Sequence, residues 1–354
     1  MDRLKACLDA IAAPDQNLSL QAQEHLDQLT KPVGSLGRLE ELARMIVEIT
    51  GKAVPAIQSP AIFTLAADHG VVAEGVSAYP QVVTAQMVEN FLSDGAAVNV
   101  LARQVGARVI VADFGVATPL PSDPRLIVKK LGNGTRNFAH EAAMTREQAV
   151  SAIESGIELV EHELPSGVDL IGTGEMGIGN TTPSSAITAV ITGRPVVEVT
   201  GRGTGIDREK WWHKVSVINQ AIGRHQPDPN DALDVLAKVG GFEIGGLVGV
   251  IIAGAANKIP VILDGFISGA AALLAATLSP HVRHYLIAGH SSAEPGHRAV
   301  LMHLRLKPYL DLNMRLGEGT GAALAIGLCR AAVSVYNEMA TFKSAGVSTQ
   351  TDDR

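Results

Sequence analysis

Two glutamates in this chain stand among glycines, an arrangement suited to chemistry on a small ligand. Glu318 is held in Gly317-Glu318-Gly319 at the entrance to an Ala-rich helix. Glycines on either side let a substrate reach the carboxylate, which makes Glu318 the candidate general base. An acid at a helix entrance also complements the helix dipole, worth ~0.3–1 kcal/mol. The two readings pull in opposite directions, because a base active near neutral pH needs a raised pKa and a dipole lowers it. Residue types leave both standing. Glu175 lies in Gly172-Thr173-Gly174-Glu175-Met176-Gly177-Ile178-Gly179-Asn180-Thr181-Thr182-Pro183, between a short apolar run and an Ala/Ile-rich one. Glycine-freed N–H groups and a helix N-terminus together seat an anion, most often a phosphate. Thr182 is the expected N-cap, with Pro183 at the first helical position.

The same stretch matches Gly-x-Gly-x-x-Gly through Gly172, Gly174 and Gly177. Glu198 follows about 20 residues on, where a dinucleotide fold places its ribose-binding acid. An NAD-dependent oxidoreductase is therefore one alternative, and a non-catalytic nucleotide-binding protein is another. Gly179 and Pro183 delay the helix by about a turn and a half relative to that fingerprint, which favours a wider loop for a single phosphate.

Other polar clusters are weighed the same way. Asp68-His69-Gly70 suggests a dyad, yet adjacent side chains point apart in extended chain, and a turn explains them. Gly289-His290-Ser291-Ser292-Ala293-Glu294-Pro295-Gly296-His297 lacks zinc-helix spacing, and Pro295-Gly296 interrupts any helix. It reads as a loop offering hydroxyls and N–H groups to an anion, with no metal expected. Lys214, in Trp211-Trp212-His213-Lys214 near a helix start, is a surface lysine by default, with reach toward a phosphate as the alternative. No Gly-x-Ser-x-Gly elbow is present, which disfavours a serine hydrolase.

The elements that must carry these residues follow from apolar periodicity. Runs at 62–67, 108–112, 168–171, 196–199, 261–263 and 285–288 read as strands, five of the six ending in glycine with an acid, histidine or arginine beside it. Segments such as 82–101 and 245–257 between them read as helices. This alternation means a parallel sheet with helices on both faces, whose strand C-termini share one ligand-binding edge. Residues 18–29 and 39–49 read as helices joined by an interhelical turn, and 299–306 and 322–339 as helices near the other end. The helical tail is paired with the helical start as a small domain, 1–50 with 300–354, beside a large α/β domain, 51–299. Residues 344–354 are expected to fray. Of 354 residues, 46% are apolar and 18% charged, and the net charge is −7, which fits a compact α/β enzyme and disfavours a general nucleic-acid surface. Cys7 and Cys329 lack metal spacing and suit a reduced, cytoplasmic setting; no signal-peptide core or bilayer-length apolar run is visible.

The segments Lys31-Pro32-Val33-Gly34-Ser35-Leu36-Gly37-Arg38-Leu39-Glu40, Asp68-His69-Gly70, Gly174 to Pro183, Leu263-Asp264-Gly265-Phe266-Ile267-Ser268, Ser292-Ala293-Glu294-Pro295 and Met314 to Ala323 occur in one order. In them the chain resembles the nicotinate-nucleotide–dimethylbenzimidazole phosphoribosyltransferase family of cobalamin lower-ligand assembly, essentially end to end. The resemblance implies transfer of 5-phosphoribosyl from nicotinate mononucleotide to 5,6-dimethylbenzimidazole, without a cofactor. It also implies a homodimer, a Rossmann-like large domain and a small helical domain from both termini. Carried onto this sequence, Glu318 takes the catalytic-base position, and Glu175, Gly177 and Lys214 fall on the phosphoribosyl side. Tyr79, Gln86 and Met87 fall in the base-binding segment. Gly174, Asn180, Thr181, Gly203, Asp264, Ser291 and Leu316 complete the expected substrate-binding set, with Glu175 or Asp264 also placed to favour a cationic ribosyl transition state.

Overall fold

The computed structural model describes residues 1–348. Its centre is a parallel sheet of β1 (Pro60–Ala67), β2 (Arg108–Gly115), β3 (Leu126–Val128), β4 (Leu170–Met176), β5 (Val261–Leu263) and β6 (Leu286–Ala288). The spatial order is β3-β2-β1-β4-β5-β6, the Rossmann arrangement, with the switch of direction between β1 and β4. Loops leaving those two strands diverge and open a crevice at the C-terminal edge.

Strand periodicity divides the core between the two faces. Ala61, Phe63, Leu65, Ile171, Val261 and Leu263 point to one face, beneath the helices Arg146–Glu163, Phe242–Ala256 and Phe266–Leu278. Ile62, Ala66, Leu170, Ile262 and Ile287 point to the other. There they meet helices from both ends of the chain, through Leu26, Leu42 and Ile46 on one side and Ile326, Cys329 and Val333 on the other. The terminal helices thus share an apolar cluster that continues onto the sheet. The turn between helices Gln16–Gln28 and Arg38–Thr50 is tied by a buried ion pair, Lys31 to Glu40 at 2.9 Å. Arg38 stacks 4.1 Å over Tyr309 and fastens this turn to the far end of the chain.

Several local expectations change. Residues 196–199 form one helical turn after Pro195, not a strand, and β3 is a short edge strand without a sequence signal. The segment 82–101 breaks at Ser93-Asp94-Gly95 into helices Val83–Leu92 and Ala97–Gln104. Of the tail expected to fray, 344–354, the first two residues close a capped turn of helix, Phe342–Ala345, and 349–354 lie outside the described residues. Most consequential, β4 does not stop at Ile171 but runs through Gly172, Gly174 and Glu175 to Met176. Among the described residues no helix is long and apolar enough to cross a membrane.

Candidate active site

A cavity of about 610 Å³ opens at the crevice beyond β1 and β4. Tyr79, Val83, Met87, Met176, Ile178, Phe266 and Leu316 give it apolar wall suited to a flat aromatic ring. Glu175, Glu294, Glu318, His290 and Arg315 are its ionisable lining, and Gly177, Asn180, Thr181 and Gly203 bring main chain to its surface.

Glu318 is set by an unusual turn. Gly317, Glu318 and Gly319 all take left-handed conformations, with φ of 87°, 65° and 103°. For Glu318 that conformation costs about 1–2 kcal/mol, so its surroundings must hold it. Thr64 Oγ1 donates to its carbonyl at 2.9 Å. Gly174 in β4 lies directly beneath that carbonyl, where a Cβ would collide with it. The side chain is buried, and Oε2 accepts the Val98 N–H at 3.2 Å. Val98 is in the first turn of Ala97–Gln104, so the dipole acting on Glu318 belongs to a different helix from the one it precedes. Burial raises the Glu318 pKa, the Val98 N–H opposes it, and the net direction is upward.

Glu175 lines the cavity from the end of β4 and accepts a hydrogen bond from Asn180 Nδ2. Burial pushes its pKa up to about 8; the Asn180 bond opposes this, and the charges of Asp264, Glu243 and Glu318 reinforce it. Asp264 is pushed up by burial to about 7, against the pull of N–H bonds from Gly321, Ala322 and Gly319. Lys214 is fully buried behind the cavity, where Nζ donates to Thr181 Oγ1 at 2.6 Å. Among the described residues no carboxylate lies at ion-pairing distance from it. Burial therefore pushes its pKa down to about 8, only partly countered by Glu294.

These shifts set a pH dependence for the ligand-free protein. The raised carboxylates contribute full stability below their ordinary pKa values, and lose it as pH rises toward about 8 for Glu175 and about 7 for Asp264. Lys214, lowered, restores stability only between about 8 and its ordinary value of 10.5. Urea unfolding is expected to show stability falling by at least ~1 kcal/mol from pH 5.5 to 8. A rise over that interval would contradict the burial of both acids.

A family model described as a phosphoribosyltransferase matches residues 11–347. A relative from Chloroflexus aurantiacus, named nicotinate-nucleotide–dimethylbenzimidazole phosphoribosyltransferase, is 58% identical, covering 98% of this chain and 99% of its own length. One of the same name from Geobacter sulfurreducens is 56% identical over 98% of the chain and 99% of its own. The crystal structure of CobT from Thermus thermophilus superposes with a TM-score of 0.91 at 46% identity, covering 94% of this chain and all of that one. The chain belongs to this phosphoribosyltransferase family.

Of the residues singled out in the sequence, Tyr79, Met87, Glu175, Gly177, Asn180, Thr181, Gly203, Leu316 and Glu318 line the cavity of this family member. Gly174 does not: like Gly172 it is an interior strand residue, kept small so that the Glu318 turn and Ala322 can pack onto β4. The loop therefore shrinks to 177–180, and the literal dinucleotide match loses its meaning. Glu198 is an exposed acid beside Arg194, so the oxidoreductase alternative is not favoured. The helix after the loop is Thr181–Thr192 with Asn180 as N-cap, in place of Thr182; the Asn180 side chain serves Glu175 instead of capping. Lys214 is not a surface residue but lies under Thr181 and Gly203. Asp264 is turned onto main-chain N–H groups, outside the lining. Gln86 is exposed, one helical step round from Met87. Ser291 gives its N–H to Leu310, and its neighbour Ser292 lines the cavity instead.

Arg315 and the Val98 amide are contributors that the sequence reading did not single out. Arg315 lines the cavity and donates to the Gly203 carbonyl at 3.1 Å; its place three residues before Glu318 was the available signal. Val98 acts through a backbone N–H, for which residue type carries no signal. His69 pairs with Glu243 at 2.8 Å, both fully buried, while Asp68 points away to the Ala117 N–H. The adjacent Asp and His diverge as the chain geometry requires.

Proposed function

We propose that this protein transfers 5-phosphoribosyl from nicotinate mononucleotide to 5,6-dimethylbenzimidazole or a related azole base, giving nicotinate and the α-riboside 5′-phosphate for cobalamin assembly. The observation that carries the reading is Glu318. It is a buried carboxylate of raised pKa, mounted between glycines on the wall of a cavity large enough for two aromatic rings and a ribose phosphate. As the azole nitrogen bonds to C1′, Glu318 takes the proton from the other ring nitrogen. The bond to the pyridinium breaks with its electron pair going to that nitrogen, so nicotinate departs neutral at the ring without a general acid. Attack on the face opposite the leaving group inverts C1′, and holding both rings about that carbon supplies much of the rate.

Glu175 lies on the ribosyl side in this reading. The donor's pyridinium charge favours its ionised form, which then faces the positive charge growing on the ribose. Lys214, a buried ammonium with no anionic partner among the described residues, is completed by the 5′-phosphate through the 177–181 segment and Gly203. Family likeness also supports a cytoplasmic homodimer and a functional division into 51–299 and the terminal helices.

The reading is tested by incubating the protein with nicotinate mononucleotide and dimethylbenzimidazole and assaying nicotinate by chromatography and the anomer by NMR. Stoichiometric nicotinate and α-riboside phosphate are expected. No nicotinate release with any azole base, or a β product, would overturn it.

A further inference from the structure

The turn that presents Glu318 is held by a side chain from a different part of the fold. Asp264, which directly follows β5, reaches across to the start of helix Thr320–Glu338. Its Oδ1 accepts the N–H of Gly321 at 2.6 Å and of Ala322 at 3.2 Å, and its Oδ2 accepts that of Gly319 at 3.2 Å. The first N–H groups of a helix have no partners within it. This helix has a glycine N-cap with no side chain to offer, so Asp264 satisfies those donors from outside. Asp264 is itself anchored: its N–H donates to Thr173 Oγ1 at 3.1 Å, and that hydroxyl donates to the Ile262 carbonyl.

We propose that Asp264 is a positioning residue for the transfer, acting through the main chain of Gly319 to Ala322 to aim Glu318, without contact to the sugar. The proposal rests on Glu318 being the base. The competing role for a buried acid here is direct stabilisation of a ribosyl cation. Both Asp264 oxygens are committed to main-chain donors, and the side chain is 1% exposed and outside the cavity lining. A left-handed glutamate flanked by left-handed glycines has little local preference for one geometry, so an external anchor determines where its carboxylate points. The chemistry of the anchor matters as well. A carboxylate presents acceptors to all three N–H groups, whereas an asparagine would turn its NH₂ against at least one of them.

The test is a double-mutant cycle on nicotinate release from nicotinate mononucleotide and dimethylbenzimidazole, using Asp264→Asn, Glu318→Gln and the pair. Asp264→Asn is expected to lower kcat about 10–100-fold, with both KM values within about 2-fold. In the Glu318→Gln background the same substitution is expected to change kcat less than about 2-fold, because the group it aims is already gone. Backbone amide exchange at 319–322 should quicken in Asp264→Asn. Multiplicative losses would place Asp264 at the reacting centre and overturn the proposal, as would an unchanged kcat in a folded Asp264→Asn protein. Should that variant fail to fold, Thr173→Val, which removes the anchor of Asp264, carries the same cycle with a smaller loss in the same direction; additivity there overturns the proposal equally. Failure of the wild-type protein to release nicotinate would instead refute the proposed reaction, and the amide exchange would still report on the turn.

Discussion

Glu318→Gln is expected to lower kcat by about 10²–10⁴-fold, the span that a positioned general base contributes, while KM for nicotinate mononucleotide stays near its wild-type value. The amide is nearly isosteric and its oxygen can still accept the Val98 N–H, so the turn and the cavity should survive. What it loses is the capacity to take a proton from the incoming azole. The pH profile should show the same group: wild-type kcat declines as pH falls through the raised Glu318 pKa, because protonation removes the base. That acid limb should be absent in the variant. Initial rates of nicotinate release measure both effects, and an unchanged kcat would remove Glu318 from the base role.

Lys214→Met should act on affinity and stability with opposite signs. On the proposed role, in which the ammonium supports the phosphate through Thr181 and Gly203, its loss is expected to cost about 1.5–3 kcal/mol, or roughly a 10–100-fold rise in donor KM. Ligand-free stability should hold or increase. A buried lysine whose pKa is lowered from 10.5 to about 8 costs roughly 3 kcal/mol at neutral pH, and methionine fills similar space without the charge. Titration kinetics and thermal unfolding of the same preparations check the two halves separately. An unaltered donor KM would refute that role toward the phosphate. A large drop in ligand-free Tm would show that Lys214 is compensated in the folded chain.

Much of the fold could be read in the residues because parallel strands buried on both faces leave apolar runs, and β1, β2, β5 and β6 fall where such runs stand. The misreadings have physical causes. Val196 to Val199 has strand composition, but residue type cannot show that no neighbouring strand is there to pair with it. Gly172 and Gly174 looked like loop residues because glycine is scarce inside strands; here they are strand residues because another element packs directly on them. The break within 82–101 followed ordinary turn chemistry at Ser93-Asp94-Gly95 and was there to be read.

The glutamate between glycines at 317–319, a glycine-rich turn leading into the helix near residue 181, and the α/β class were determined by the sequence, because each depends on local residue type and spacing; that the turn is only 177–180 was decided by the packing on β4. Tertiary structure decided the ionisation of those groups. The pKa of Glu318 depends on the Val98 amide, some 220 residues away in the chain, and on burial that local sequence does not specify. The same holds for Lys214, whose default as a surface residue fails because the 177–181 segment and Gly203 close over it. Charge is set by what surrounds a group in space, and in this fold the surroundings of both residues come from elements other than their own.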